Sequence, residues 1–345
     1  MRIAIITIND PSLKSAKRLL PTLSAYENIV FNKSDSSDGF KVYKKLDDIL
    51  STAFNEFDAL IFIMATGAVV RKIAPYLRDK SSDPAVIIMS LDLKRIIPLL
   101  SGHLGGANEL SIEIAKNIDG SVNFITTASD QIKVLAFDMF AKKMGYKISN
   151  LNSLAEVSNH IIDKKVVQVV TYPAIEREIR EFDGYRDENF HFISPDRLDL
   201  LNNINPIVYI TPQKMANSSL QLHPQEIAIG LGMNRGTTAK EIDLTLKRFC
   251  FEHSIDINSV KVVASFDAKA DEEGLLEFAK DINIDIKFFS SDEINALQNN
   301  FTPSEATRFF NIKGVAEPAS LLASKLRTLF LSKRVYGNVT IASSF

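Results

Sequence analysis

The chain has 345 residues, 46% of them hydrophobic and 24% charged, with a formal net charge of −2. Such a composition belongs to a globular protein large enough for two or three domains, and it excludes a disordered chain or an extended nucleic-acid-binding face. Cys250 stands alone, so no intrachain disulfide forms, and no stretch reaches the roughly 18 apolar residues of a spanning helix.

The N-terminal part alternates apolar runs with helical patterns, the signature of a parallel α/β architecture. Residues 2–8 read as a buried strand closed by Asn9, Asp10 and Pro11, too short an apolar run for a signal peptide; the expected location is cytoplasmic. Helices are expected over 12–20 and 47–54, a central strand over 59–64 and a helix over 68–76. Strands over 85–90, 94–99 and 122–125 complete this unit, which is assigned residues 1–130.

The middle region, 131–222, is less regular. Helices are expected over 134–144 and 153–162, and strands over 165–171 and 208–210. The polar stretch 211–221, rich in Ser, Asn and Gln, reads as an interdomain linker. A second α/β alternation then occupies 223–345, with strands over 227–230, 260–265, 284–289 and 338–343 and helices over 238–253, 273–281 and 316–326. The fold class is therefore multi-domain α/β, with a parallel-sheet N-terminal domain and a separate C-terminal domain.

Four groups of residues lie where such sheets bind ligands, at strand ends. Thr66 and Gly67 fall at a strand-to-helix junction, where Thr66 would cap the helix and, with Arg71 one turn on, meet an anionic group. The segment S-G-H-L-G-G-A-N-E, residues 101–109, sets Gly102, Gly105 and Gly106 around His103, with Ser101 and Asn108 beside them. Glycines allow close backbone approach, the following helix start offers amides, and histidine is the side chain type whose unperturbed pKa lies near neutrality. Thr127 sits in the polar stretch I-T-T-A-S-D at 125–130. The C-terminal turns contribute Arg235 in G-L-G-M-N-R-G-T-T, Lys269 near Glu272, and Glu317 before Pro318. Each has a plainer alternative: a helix cap, a solvated arginine, a structural histidine, a surface ion pair. No second His or Cys stands at metal-ligand spacing, so no metal site is expected, and neither a P-loop nor a dinucleotide fingerprint is present.

The stretches A-T-G-A-V-V-R, D-P-A-V and L-L-S-G-H-L-G-G-A-N-E-L resemble the cobalt-precorrin-5A hydrolase (CbiG) family of anaerobic cobalamin biosynthesis. The C-terminal G-L-G-M-N-R-G-T, A-K-A-D-E-E-G-L and V-A-E-P-A are similar to that family's C-terminal domain, itself similar to a small stand-alone protein of the aerobic pathway. Glu273 stands where the family often has proline, and the middle region carries no matching motif. The resemblance implies a cobalt-corrinoid substrate whose ring A lactone is opened with loss of acetaldehyde, the cobalt belonging to the substrate and no cofactor to the protein. The resemblance alone assigns no roles; the chemistry of lactone opening suggests His103 as general base, amides at Gly102, Gly105 and Gly106 as an oxyanion cradle, and Lys269 with Glu272 or Glu317 as a proton source. Arg71, Arg235 and Lys269 are the candidates to hold the acidic rim of the macrocycle, with Ser101, Asn108, Thr127, Thr66 and Gly67 as further substrate contacts. A non-catalytic corrinoid carrier is the alternative. No nucleic acid or membrane partner is expected; a homodimer and transient contact with neighbouring pathway enzymes stay open.

Overall fold

The computed structural model describes residues 1–33, 40–79, 82–127, 133–302 and 310–345. The chain divides into two compact units, Met1–Lys133 and Val134–Phe345.

The first unit runs β1 (Arg2–Thr7), α1 (Asp10–Leu19), β2 (Glu27–Asn32), β3 (Lys41–Val42), α2 (Asp47–Glu56), β4 (Ala59–Phe62), α3 (Thr66–Ile73), β5 (Ala85–Met89), β6 (Arg95–Leu100), α4 (Ala107–Lys116) and β7 (Val122–Asn123). Its seven-stranded sheet has the order β3-β2-β1-β4-β5-β6-β7. Both faces are covered. Ile3, Ile5 and Ile61 pack with Leu13 and Leu19 of α1 and Leu110 and Ile114 of α4. Ala4, Ile6, Leu60 and Phe62 pack with Leu50 of α2 and Val69 and Ile73 of α3. Two buried faces are why β4 reads as an unbroken apolar run instead of an alternating one.

One strand departs from the expected parallel arrangement. β6 runs antiparallel to β5, with Met89 opposite Ile96 and Val86 opposite Leu100. Only residues 90–94 join the two strands, and a parallel crossover needs a dozen or more. Ser90 and Leu93 close this hairpin instead, with Leu93 at φ +64. The strand expected over 122–125 shortens to the two-residue β7, parallel to β6. The helix expected from residue 12 starts two residues earlier, where Asn9 and Ser12 form a reciprocal cap.

The second unit holds two five-stranded sheets. The first half runs α5 (Phe137–Met144), β8 (Lys147–Ser149), α6 (Leu154–Ile162), β9 (Val167–Thr171), α7 (Pro173–Arg180), β10 (Phe190–Ile193), β11 (Ile207–Ile210) and β12 (Leu220–His223). The strand order is β10-β9-β11-β12-β8, with β8 antiparallel at the edge. The linker expected over 211–221 is instead built into this layer. Leu220 and Gln221 are buried in β12, and the Gln221 amide bonds both the N–H and the carbonyl of Met215. The side chain of Asn150 donates to the carbonyls of Asn217 and Ser219. Ser, Asn and Gln here satisfy a folded loop's backbone, which composition alone does not distinguish from a linker.

The second half comprises β13 (Ile227–Met233), α8 (Ala239–Glu252), β14 (Val260–Phe266), α9 (Glu273–Asp281), β15 (Asp285–Phe289), α10 (Ser291–Ala296), α11 (Ala316–Ala323), β16 (Leu329–Tyr336) and β17 (Val339–Ser344). Its sheet has the order β15-β14-β13-β17-β16, with β17 antiparallel to both neighbours. The N- and C-terminal alternations thus form separate sheets. Among the described residues no helix is long and apolar enough to cross a membrane.

Candidate active site

After β6 the chain makes a tight knot. Ser101 adopts φ +54, and Gly106, the N-cap of α4, adopts φ +82. The Ser101 hydroxyl donates to the carbonyl of Asp83 at 2.9 Å. The amide of Ala107 donates to the Ser101 carbonyl, Asn108 to Gly102 and Gly106 to His103. Two glycines are there because nothing larger fits. A Cβ at Gly105 would lie 2.4 Å from the Ser101 Cβ, and one at Gly102 would lie 2.8 Å from the Asn108 Oδ1.

The buried Asn108 also donates from Nδ2 to the Thr127 hydroxyl at 3.3 Å. Ser101, Gly102 and Asn108 thus share one bonded loop with the half-buried His103, and Asn108 brings Thr127 to it. The sequence reading did not foresee two details. The Ser101 hydroxyl and the Gly106 amide point inward to protein carbonyls, so neither is an outward donor in this conformation. Residues 128–130 of the I-T-T-A-S-D stretch lie outside the described residues.

Thr66, Gly67 and Arg71 are elsewhere. β4 and β5 are parallel and β6 is reversed, so the end of β4 and the end of β6 face opposite edges of the sheet. Ala65, not Thr66, is the N-cap of α3, and no side chain caps that helix. Thr66 begins the helix itself, exposed, and the Arg71 guanidinium folds back to donate to the Gly67 carbonyl at 2.9 Å. This edge holds a cleft of about 390 Å³ between the ends of β1, β4 and β5, lined by Ile8, Asn9, Ile63, Thr66, Met89 and Arg95 among others. It lies where the strand order turns back on itself.

In the C-terminal half, Gly230 and Gly232 lie within β13, not in the turn expected there. A Cβ on Gly230 would come 1.8 Å from the Ala316 carbonyl oxygen, so this glycine lets α11 lie directly on the strand. The turn proper is residues 234–237, with Gly236 at φ +77. Here Glu272, only 6% exposed, accepts from the Gly236 amide and from Lys269 Nζ, both at 3.0 Å. Arg235 lies 3.5 Å from the same carboxylate and pairs with the exposed Asp271 at 3.1 Å. Burial pushes the Glu272 carboxyl upward, but the Gly236 amide, Lys269 and Arg235 together outweigh it and hold the group below its ordinary value.

The Lys269–Glu272 pair is thus largely buried and not the exposed pair of the plainer reading. Asp271, which sequence reasoning passed over, was signalled by its place between Lys269 and Glu272. Glu317 does not join this cluster through any contact of its carboxylate with Lys269 or Glu272. Its oxygens, buried to 3% exposure, accept from the Thr302 amide at 2.6 Å, the Thr302 hydroxyl at 2.9 Å and the Lys333 amide at 2.8 Å. That is a clamp between α11, residue 302 and β16, and it leaves the carboxylate committed to the fold.

Known proteins align with this arrangement in chain order. Residues 48–130 match the family "Cobalamin synthesis G N-terminal", 135–224 "Cobalamin biosynthesis central region" and 227–344 "Cobalamin synthesis G C-terminus". The chain is 30% identical to the cobalt-precorrin-5A hydrolase of Priestia megaterium, over 98% of this chain and 93% of that protein. It is 30% identical to the cobalt-precorrin-5A hydrolase of Salmonella typhimurium, over 84% of this chain and 82% of that one. Protein CobE of a Sinorhizobium species is 29% identical over 34% of this chain and 77% of its own length. The chain belongs to the cobalt-precorrin-5A hydrolase (CbiG) family.

Proposed function

We propose that this protein hydrolyses cobalt-precorrin-5A, opening the ring A lactone and releasing acetaldehyde to leave cobalt-precorrin-5B. The observation that carries this reading is identity of 30% to a protein of that name across nearly the whole of both chains. The reaction needs a base to take a proton from water as it adds to the lactone carbonyl, and donors for the oxyanion that develops. His103 is the only histidine in the first 133 residues, and it stands on a loop whose backbone is fixed at three successive carbonyls. It is the proposed base, with the amides of Gly102 and Gly105 as oxyanion donors.

Loss of the lactone's acyl group leaves an alkoxide. Its collapse to acetaldehyde breaks the carbon–carbon bond, and the electron pair stays on the macrocycle, where a proton must be supplied. The cobalt travels with the substrate. Asn108 and Thr127 are the proposed substrate contacts beside His103. Thr66, Gly67 and Arg71 lie at the opposite edge of the sheet. Incubation with cobalt-precorrin-5A and assay of acetaldehyde tests the reading, because a carrier would bind the corrinoid and release none.

A further inference from the structure

Ser101 is the one residue of the His103 loop with a side chain and a left-handed backbone, at φ +54. A residue with a Cβ in that region costs about 1 kcal/mol or more, whereas glycine adopts it freely. A loop that needed only the turn would be better served by glycine. What glycine lacks is the hydroxyl, and that hydroxyl bridges 18 positions to the Asp83 carbonyl at the entry to β5.

The acceptor is itself held in place. Both Asp83 carboxylate oxygens accept from the Arg78 amide at 3.1 Å, and the next residue but one, Ala85, begins β5. On the other side, the Ser101 carbonyl takes the Ala107 amide, and its Cβ occupies the space a Cβ on Gly105 would need, 2.4 Å away. Ser101 is therefore the joint between the edge of a rigid sheet and the two residues that follow it, Gly102 and His103.

The geometry assigns Ser101 a positioning role: its hydroxyl ties the Gly102–His103 stretch to the chain entering β5 and so fixes where the imidazole stands. This rests on the reading of His103 as the hydrolytic base. The alternative is a direct substrate donor, and the two differ in what they do to kcat and KM. A small displacement of a catalytic group slows the chemical step with little effect on binding, whereas a lost substrate contact of the uniform kind raises KM.

The test compares Ser101→Gly and Ser101→Ala with His103→Ala and the double variant Ser101→Gly/His103→Ala, using cobalt-precorrin-5A and acetaldehyde release. Both Ser101 variants are expected to lower kcat about tenfold or more, with KM within about threefold of the parent. The double variant is expected within about twofold of His103→Ala alone, because a residue acting through His103 has nothing left to position. A raised KM with kcat kept, or losses that multiply in the double variant, overturns the assignment. A second measurement needs no turnover: the His103 imidazole resonance, identified by its absence in His103→Ala, should move in Ser101→Gly. An unmoved resonance overturns the positioning role even if activity falls. Absence of acetaldehyde from the parent protein would sink the proposed reaction instead, and the resonance would still decide whether Ser101 sets the imidazole.

Discussion

Thr66 and His103 stand at opposite edges of one sheet. Each follows the carboxyl end of a strand, but β6 is antiparallel to β5 while β4 is parallel to it. Loops that look equivalent along the chain therefore face away from each other in space. The proposed hydrolysis uses the edge that holds the imidazole.

The first prediction concerns that imidazole. His103→Ala should retain corrinoid binding and slow acetaldehyde release by about 10²–10⁴-fold, the usual loss for a general base. Stopped acetaldehyde assays over a pH series should also show a limb missing from the rate profile. Turnover close to that of the parent would remove His103 from the mechanism.

Glu272 makes the C-terminal half acid-sensitive in a defined direction. Its carboxyl is held below the ordinary value, because burial is outweighed by Gly236, Lys269 and Arg235. The folded state therefore binds this proton less readily than the unfolded chain, whose glutamates titrate near about 4.3. Stability from this group is fully present above that pH and is lost as pH falls through the lowered folded value. Glu272→Gln should cost about 1–3 kcal/mol at pH 7 and flatten the acid limb of a urea-midpoint-against-pH curve. Identical acid limbs in the two proteins would contradict it.

Glu317 should behave as a structural clamp. Its carboxylate accepts two amides and a hydroxyl from residues 302 and 333, so Glu317→Gln exchanges an acceptor for a donor against N–H groups. The melting temperature is expected to fall. Acetaldehyde release per folded molecule, measured well below that temperature, should stay within about threefold of the parent, since no reacting atom is lost. A collapse of turnover at unchanged stability would restore Glu317 to the reaction.

Two glycines should respond in opposite measure. Gly230→Ala drives a methyl group into the Ala316 carbonyl and should cost about 3 kcal/mol or more, with α11 forced off the sheet. Gly236→Ala meets no atom within 4 Å but must hold φ +77, so about 1 kcal/mol is expected. Denaturant unfolding followed by far-ultraviolet circular dichroism gives both values. Equal costs would mean that α11 yields easily.

Local sequence determined much of this protein. The apolar run of β4, the reciprocal cap at Asn9 and Ser12, and the helix Glu273–Asp281 follow from side-chain period and capping chemistry within a few residues. So did the gathering of glycines around His103, because crowding at Gly102 and Gly105 leaves no room for a side chain and Gly106 adopts a positive φ. Direction and partnership were decided only in three dimensions. The reversal of β6 set which edge His103 occupies, and a bond over 18 positions turned the Ser101 hydroxyl inward. The same is true of Gln221, buried in a strand where its neighbours' polarity suggested a linker, and of Glu317, claimed by backbone amides of two other segments. Period and propensity act between residues a few positions apart, whereas the partner of a buried polar group is whatever the folded chain brings within about 3 Å.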